Sequence, residues 1–326
     1  MDAVDVYCGH QSQLFGVEEY RLVGGKGDGI RLFEVKNGRG LEFTVSADRC
    51  ADISRISYRG TNLGYFAPCG YVSPQYYDTE PAGMGFLKSF TAGFITTCGI
   101  TAVGFPCEDE GEKLPLHGDI SHVPADQIYH VIEDGKIKVR ALVRNAWMFH
   151  QKLELRREIA VSLSENLIEI SDEISNKGSE TYPLMYLYHI NFGYPLLSEK
   201  AIMSIPSKEQ HPFNEIAAKH THEYEKLAPP SADFVEQCWY HFFEKEGYAS
   251  LYNPDLHIRA SVSFDIKEFP YMVQWKLLRP VDYAIGFEPG NCHALGRKRM
   301  REEGKLQFIA PGEKRNFHVR IRIEDK

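Results

Sequence analysis

The amino-acid sequence predicts an all-β fold, a sandwich of mostly antiparallel strands with few short helices. Apolar and polar residues alternate with a period of two wherever a periodicity is legible, turn-forming residues separate the alternating segments, and helical signals are weak and local. No composition break, internal repeat or low-complexity tract divides the chain. We therefore expect residues 1–326 to form a single domain, since large β-sandwiches reach this size.

The longest alternating stretch covers residues 136–175. Its segments KIKVRALVR, HQKLELRREIAVSL and NLIEISDEIS follow one another with short connections, and NKGS closes the run, which is typical of an antiparallel meander. Near the N-terminus, IRLFEVKNGRGLEFTVSAD predicts a hairpin around NGRG. A second hairpin is predicted at the C-terminus, where PGEK separates KLQFIA from NFHVRIRIE, with Phe317, Val319, Ile321 and Ile323 on one face.

Two segments depart from this pattern. SADFVEQCWYHFFEKEG, residues 231–247, gives the best helical signal, with Ser231 as a candidate N-cap and Gly247 placed to end the helix. Residues 62–122 are rich in Gly, Pro and Tyr and predict long loops laid over the sandwich. Such loops often build a binding site, although these could also simply plug one end of the sandwich.

Composition and charge limit the classes of function. The formal net charge of −8 comes from 45 acidic and 37 basic residues dispersed along the chain, which disfavours a nucleic-acid or membrane-surface role. No apolar run approaches the roughly 18 to 20 residues that span a bilayer, and MDAVDVYCGHQ lacks signal-peptide features, so we expect a cytoplasmic protein. The seven cysteines have no C-x-x-C pair and indicate free thiols, with Cys292 as the one candidate nucleophile.

Three short segments place an ionisable residue beside glycine or proline: LPLHGDI with His117, YLYHINFGYP with His189, and AIGFEPGNC with Glu288. A lone histidine in an apolar strand is usually a satisfied core residue. A histidine that titrates near neutrality and a buried glutamate with a raised pKa, however, together suit acid–base catalysis without a cofactor. Abundant neighbouring aromatics fit the apolar faces of a sugar ring.

These three segments, in this order and followed by GKLQFIAPGEK, resemble the aldose 1-epimerase (galactose mutarotase-like) superfamily, and more closely its bacterial aldose-epimerase-like branch of unknown function. The resemblance covers nearly the whole chain and implies a galactose mutarotase-like β-supersandwich. It further implies that His189, followed by Asn191 and Gly193, is the acid at the ring oxygen, that Glu288 is the base at the anomeric hydroxyl, and that His117 binds substrate.

The chain departs from the family pattern at two points. Asp119 stands where a second glycine usually follows Leu-His-Gly, and the Arg and Asp that hold sugar hydroxyls in galactose mutarotase have no clear counterpart. The sugar preference therefore stays open. Arg49, Arg55, Lys88 and Lys276 are candidates to replace them, and Asn191 and Trp275 are further candidate substrate-binding residues.

The sequence thus favours an isomerase that interconverts the α and β anomers of a small-molecule sugar, with no cofactor or metal, no nucleic acid and no membrane partner. A homodimer is compatible with it. Two alternatives stay open: a metal-dependent sugar isomerase or epimerase in which His117, His189 and Glu288 hold Zn²⁺ or Mn²⁺, and a carbohydrate-binding protein without catalysis.

Overall fold

A computed structural model describes residues 6–326, and they fold mainly as β-strands. The strands are β1 Gly16–Arg21, β2 Arg31–Lys36, β3 Leu41–Ser46, β4 Asp52–Tyr58, β5 Thr61–Asn62, β6 Tyr65–Phe66, β7 Ala92–Gly93, β8 Ile95–Ile100, β9 Cys107–Asp109, β10 Glu112–Leu114, β11 Ala125–Glu133, β12 Lys136–Ala146, β13 Lys152–Ser162, β14 Leu167–Asn176, β15 Tyr182–Gly193, β16 Ile202–Ser204, β17 Glu209–Pro212, β18 Gln237–Phe242, β19 Gly247–Asn253, β20 Ile258–Phe264, β21 Tyr271–Leu278, β22 Tyr283–Gly290, β23 Gln307–Ile309 and β24 Lys314–Asp325. The helices α1 Phe86–Ser89, α2 Glu215–Lys219 and α3 Arg297–Glu302 are short. The predicted all-β class is confirmed.

The largest sheet has eight strands in the order β11-β12-β13-β14-β24-β20-β19-β16. Its first half is the predicted meander, because β12, β13 and β14 pair antiparallel in sequence order. The alternating pattern predicts these strands correctly because one face of each strand is buried and the other is more exposed. In β24 the predicted face of Phe317, Val319, Ile321 and Ile323 is buried while the intervening positions are more exposed.

A second sheet contains β17-β18-β21-β22-β15-β23, with β8 also paired to β15. The strands β1 to β5 form a third sheet, in which β2 and β3 make the predicted N-terminal hairpin. One hydrophobic core draws side chains from all three sheets, including Phe43, Ile159 and Phe287. Strand β15 is buried along both faces, which explains why it is apolar almost throughout.

The predicted helix at 231–247 is wrong. Residues 237–242 form strand β18, whose backbone pairs with β17 on one side and β21 on the other. Gly247 begins β19 instead of ending a helix. The aromatic run QCWYHF favours a strand, and its neighbours in the sheet decide the outcome over the capping signal.

The predicted C-terminal hairpin is also wrong, although both of its strands exist. Strand β23 pairs with β15 in the seven-stranded part of the fold, whereas β24 pairs with β14 and β20 in the eight-stranded sheet. The PGEK turn therefore carries the chain from one sheet to the other. Turn residues specify where a chain reverses, not which strand it then pairs with.

Residues 62–122, where the sequence predicts long loops, contain short strands and the single-turn helix α1 between their turns. They include two small two-stranded pairs, β6 with β7 and β9 with β10. These loops contribute many of the residues around the candidate site.

Candidate active site

One face of the sheet that contains β15, β22 and β21 carries the polar residues that the sequence singles out. Strands β15 and β22 pair with Ile190 opposite Phe287, and this register sets His189 directly opposite Glu288. Side chains opposite one another in an antiparallel pair point to the same face. His189 Nε2 accordingly lies 3.2 Å from Glu288 Oε1.

The position of the Glu288 carboxylate depends on Gly286, two residues earlier on the same face of β22. A Cβ at position 286 would lie 2.6 Å from Glu288 Oε1 and 3.3 Å from Trp275 Cβ. Glu288 is only 2% exposed, and its Oε1 makes no aligned hydrogen bond despite its contact with His189. The glycine therefore provides the space in which this carboxylate lies.

Burial shifts both members of the pair toward their neutral forms. It raises the pKa of Glu288 well above its ordinary value, and the negative charge of Glu236 adds to the rise. Burial also lowers the pKa of His189 to about 3, with nearby His117 acting in the same direction and the Asn191 side chain opposing it. His189 Nδ1 has no hydrogen-bond partner, so this residue is not a satisfied core histidine.

His117 reaches the pair from the loop region. Its backbone N–H donates to the Gly104 carbonyl at 2.9 Å, and its carbonyl accepts from Gly99 N at 3.0 Å. A Cβ on Gly118, whose φ is +72°, would lie 2.4 Å from the Gly99 oxygen, so glycine lets this segment approach β8. The His117 ring centroid lies 5.8 Å from that of His189, and burial lowers the His117 pKa to about 4.

His117, His189 and Glu288 line a cavity of about 570 Å³, which is within the range of about 300 to 1,000 Å³ of small-molecule sites. Trp275 lies in its wall with its ring centroid 5.2 Å from that of His189, and Phe90 lies at 5.1 Å. The segment 62–122 covers the cavity with further side chains, among them Tyr65, Met84, Phe86, Leu87, Phe105 and Leu116.

Asn191 lies two residues after His189 on the same face of β15, but it does not line the cavity. It is fully buried, and its Nδ2 donates to the carbonyl oxygens of His189 at 2.9 Å and Ala92 at 3.2 Å. Its Oδ1 has no partner. The predicted direct contact with substrate is not supported by this location, and Asn191 acts on the site through His189.

The prediction that Arg49 binds substrate is not supported by its location. The side chain is buried outside the cavity, and its guanidinium donates to three backbone carbonyls, those of Ser121 at 2.6 Å, Val72 at 2.9 Å and Ser89 at 3.0 Å. These bonds tie loops together. An arginine already satisfied by three carbonyls has little capacity left for a ligand.

Lys276 likewise lies on the wrong face. It follows Trp275 on β21, and successive side chains of a strand point to opposite faces. Its Nζ is buried and donates to the backbone carbonyl of Glu223 at 2.9 Å, while Trp275 lines the cavity. The predicted pair is therefore divided, with only the tryptophan at the site.

The remaining candidates also lie outside the cavity lining. Arg55 stacks on Phe66, and Lys88 is largely exposed and pairs with Glu80. Asp119 accepts a hydrogen bond from Asn145 Nδ2 at 3.0 Å. Cys292, the one candidate nucleophile, is buried away from the cavity, and burial raises the pKa of its thiol.

Two features of residues 6–326 concern metal binding and membrane insertion. No three His, Cys, Asp or Glu side chains in this part of the chain are grouped so that they could hold a metal ion. None of its helices has the length and apolar character required to cross a membrane.

Sequence reasoning missed two hydrogen-bonded pairs in the cavity wall. Tyr65 OH donates to Asp282 Oδ1 at 3.0 Å, and Trp275 Nε1 donates to Glu236 Oε1 at 2.6 Å. Both acids belong to the lining. Each stands at the beginning of a strand with no distinctive motif around it, so no local pattern marks it as functional.

The fold and this site define a protein of the galactose mutarotase-like class. A candidate aldose 1-epimerase from Klebsiella pneumoniae is similar over 95% of this chain and 83% of its own, with 25% identity and a TM-score of 0.88. Galactose 1-epimerase from Lactobacillus acidophilus shares the fold over 95% of this chain and 99% of its own, with 13% identity and a TM-score of 0.63. A galactose mutarotase-like protein from Clostridium acetobutylicum shares the fold over 96% of this chain and 100% of its own, with 11% identity and a TM-score of 0.66.

The chain belongs to the family described as "Domain of unknown function (DUF4432)", whose model matches residues 27–323. No curated protein matches the sequence. The structural likeness agrees with the resemblance that the sequence motifs indicate, and it points to the carbohydrate epimerases and isomerases as the kind of enzyme.

Proposed function

We propose that this protein is an aldose 1-epimerase that interconverts the α and β anomers of a sugar, with His189 and Glu288 as its acid–base pair. The observation that carries the proposal is the direct approach of His189 Nε2 to Glu288 Oε1 at 3.2 Å in the wall of a cavity. An acid and a base on one side of a cavity can serve the ring oxygen and the anomeric hydroxyl, which are bonded to the same carbon.

The unpartnered polar atoms of the site support a polar ligand. His117 Nδ1, His189 Nδ1 and Glu288 Oε1 are buried without a hydrogen-bond partner, and all three residues line the same cavity. Buried polar groups in folded proteins are nearly always hydrogen-bonded, since leaving one unpaired costs about 1 to 3 kcal/mol. A sugar offers hydroxyl donors and acceptors to such atoms, and its C–H face can pack on Trp275.

The chemistry moves two protons and requires no other reactant. Glu288 accepts the proton of the anomeric hydroxyl while His189 donates a proton to the ring oxygen, and the C1–O5 bond breaks to give the open-chain aldehyde. Rotation about the C1–C2 bond presents the other face of the carbonyl. Ring closure then returns both protons with the two roles exchanged, as microscopic reversibility requires.

The proton needed for this step is already in the pair. Burial disfavours charge on both groups, so before a sugar binds the acidic proton belongs on Glu288 and His189 is neutral. The two atoms are 3.2 Å apart, so a small reorientation of either side chain on sugar binding would align them and let that proton pass to His189 Nε2, which leaves Glu288 as the carboxylate base. Donors from a bound sugar would favour the transfer, because hydrogen bonds stabilise the carboxylate.

The test is anomer exchange by NMR magnetisation transfer on a panel of free aldoses. We expect the enzyme to exchange the α and β signals of at least one sugar. We expect both His189→Ala and Glu288→Gln to slow that exchange by about 10² to 10⁴-fold, the usual contribution of a positioned acid or base.

His241→Gln is the matched control. His241 is also buried with a pKa lowered to about 4, but it bonds to Ser207 Oγ at 2.9 Å and Gln274 Oε1 at 2.9 Å, outside the cavity. Its variant should retain the exchange. If a sugar binds but its anomers do not exchange above the uncatalysed rate, the protein is a carbohydrate-binding protein and the proposal fails.

A further inference from the structure

The charges around the cavity all have one sign. Three carboxylates line it, those of Glu236, Asp282 and Glu288, and none of the described residues that line it is Lys or Arg. Its two histidines, His117 and His189, have lowered pKa values and are neutral near pH 7. Even with the proton of the pair on Glu288, two negative charges face the space that the ligand occupies.

Glu236 and Asp282 also lack the cationic partners that many acidic side chains of this protein have. Surface acids such as Glu158 and buried ones such as Asp109 pair with arginine. Among residues 6–326, no Lys, Arg or His side-chain nitrogen lies within 4.0 Å of the carboxylate of Glu236 or Asp282. These two carboxylates accept hydrogen bonds from neutral donors instead, Trp275 Nε1 and Tyr65 OH. Their charges are therefore not neutralised locally.

The basic residues near the cavity are turned away from it. The side chain of Lys88, which follows the lining residue Leu87, is 73% exposed and pairs with Glu80. Lys276 Nζ is held by backbone carbonyls on the other face of β21. Arg279, near Asp282 in the chain, is exposed and donates to the Phe234 carbonyl at 3.3 Å. None of them lines the cavity.

A second feature, the unpaired polar atoms of the site, favours a polar ligand in this space. Glu288 is 2% exposed and His189 is 5% exposed, and each has an unpartnered polar atom while lining the cavity. A ligand that satisfies these atoms brings its substituents close to Glu236 and Asp282. Asp282 is half-buried, so its charge acts on such substituents more strongly than it would in bulk water, whereas Glu236 is exposed and its charge is screened more by solvent.

We infer that the cavity selects its sugar by charge, rejecting phosphate, sulfonate and carboxylate substituents and favouring an ammonium group in place of a hydroxyl. This inference rests on the proposed function, because it names the substrate class of the same site. Each cavity acid uses one oxygen for its internal donor, Oε1 in Glu236 and Oδ1 in Asp282, and the other oxygen of each can accept a hydrogen bond from a hydroxyl or an ammonium.

The experiment compares sugars that differ in charge on one ring: galactosamine, galactose, galacturonate and galactose 6-phosphate, with the gluco series in parallel. Binding is measured by ligand-observed NMR titration and anomer exchange by magnetisation transfer. We expect the apparent Kd to rise from amino to neutral to anionic sugar, by about tenfold for each unit of charge.

Glu236→Gln and Asp282→Asn should reduce the difference in apparent Kd between amino, neutral and anionic sugars. Each variant removes one charge and keeps an oxygen to accept the internal hydrogen bond. Lys88→Gln, which removes an exposed charge outside the cavity, should leave these differences in Kd unchanged. The inference is overturned if an anionic sugar binds as tightly as its neutral counterpart. It is also overturned if the differences in Kd are the same in both carboxamide variants as in the wild type.

The two proposals fail separately. Charge-ordered binding without anomer exchange would overturn the epimerase function and retain the charge selection. Exchange that is fastest on an anionic sugar would overturn the charge selection and retain the epimerase function. If none of the sugars binds, both are overturned.

Discussion

Strand β15 buries polar side chains on both of its faces, and the two faces treat them in opposite ways. Toward the interior between the sheets, Tyr186 and Tyr188 donate to Asp172 Oδ2 at 2.5 and 2.6 Å, and Arg157 approaches the same oxygen at 2.7 Å. Toward the cavity, His189 Nδ1 has no hydrogen-bond partner, and neither has Oε1 of Glu288, which lies opposite His189 on β22.

The interior group is a saturated network that joins strands of different sheets. Arg157 on β13 also contacts Asp52 on β4 at 2.6 Å, and Asp52 accepts from the backbone N–H and the hydroxyl of Thr97 on β8. Charges are buried there because every one of them has partners. This contrast supports the proposal that the unpaired atoms on the cavity face bind polar groups of a ligand.

The strongest way to break this comparison is to remove the cation of the network. Arg157→Met leaves Asp52 and Asp172 buried without a counter-charge, and we expect the free energy of unfolding to fall by about 3 to 5 kcal/mol. Urea denaturation measures it. Glu288→Gln, on the cavity face, should cost little stability by comparison, and equal losses in the two variants would show that the two faces do not differ.

Gly286→Ala tests the cavity side without touching an ionisable group. The added Cβ would meet Glu288 Oε1 at 2.6 Å and displace the carboxylate. We expect anomer exchange to slow by about 10²-fold, the cost of misplacing a catalytic group by roughly 1 Å. Adding Gly286→Ala to Glu288→Gln should cause little further loss, and full additivity would show that Gly286 acts on something other than the carboxylate.

Mild acid should destabilise the protein through the buried histidines of the cavity. The folded pKa is about 4 for His117 and about 3 for His189, below the ordinary 6.5, so between pH 6.5 and 4 the unfolded chain binds protons that the folded chain does not. Stability therefore falls as pH falls, by about 1.4 kcal/mol per pH unit for each such histidine.

The measurement is urea denaturation at several pH values between 6.5 and 4.5, comparing the wild type with His117→Gln. The raised pKa of Glu288 contributes with the opposite sign, but it is common to both proteins and cancels in the difference. The unfolding free energy of the variant should change with pH less steeply than that of the wild type, by about 1.4 kcal/mol per pH unit. Equal pH dependence in the two proteins would contradict the lowered pKa of His117.

The smallest expected effect sharpens the comparison within the network. Tyr188→Phe removes one of several donors to Asp172 and keeps the packed ring, so the unfolding free energy should fall by about 1 kcal/mol. Anomer exchange should be unchanged, because Tyr188 faces away from the cavity. A loss of exchange at full stability would mean that the two faces of β15 are coupled.

Much of the fold could be predicted from local pattern. The meander at 136–175, the N-terminal hairpin and the buried face of β24 follow from period-two alternation, because one side of each strand packs on the core and the other meets solvent. The two errors, at 231–247 and at the C-terminal turn, both concern pairing partners. A short segment does not encode its partner, which is chosen by contacts distant in sequence.

The candidate site likewise contains residues that local motifs predict and residues that only the fold brings together. His117, His189, Glu288 and Trp275 could be named from motifs, whereas Arg49 and Lys276 carried the right charge but were directed elsewhere by the backbone carbonyls around them. The acids that complete the cavity, Glu236 and Asp282, lie in unremarkable stretches of sequence. They were found only where the fold placed them beside Trp275 and Tyr65.

Local sequence patterns were enough to predict the all-β class, the strands buried on one or both faces, and the residues proposed as the acid–base pair, because strand periodicity and short glycine-bounded motifs are local properties. The tertiary structure decided that β15 and β22 pair in the register that brings His189 within 3.2 Å of Glu288. It also decided which buried polar groups are satisfied and which face the cavity. Hydrogen-bond satisfaction and local charge depend on groups distant in the chain, so only the folded arrangement could fix them.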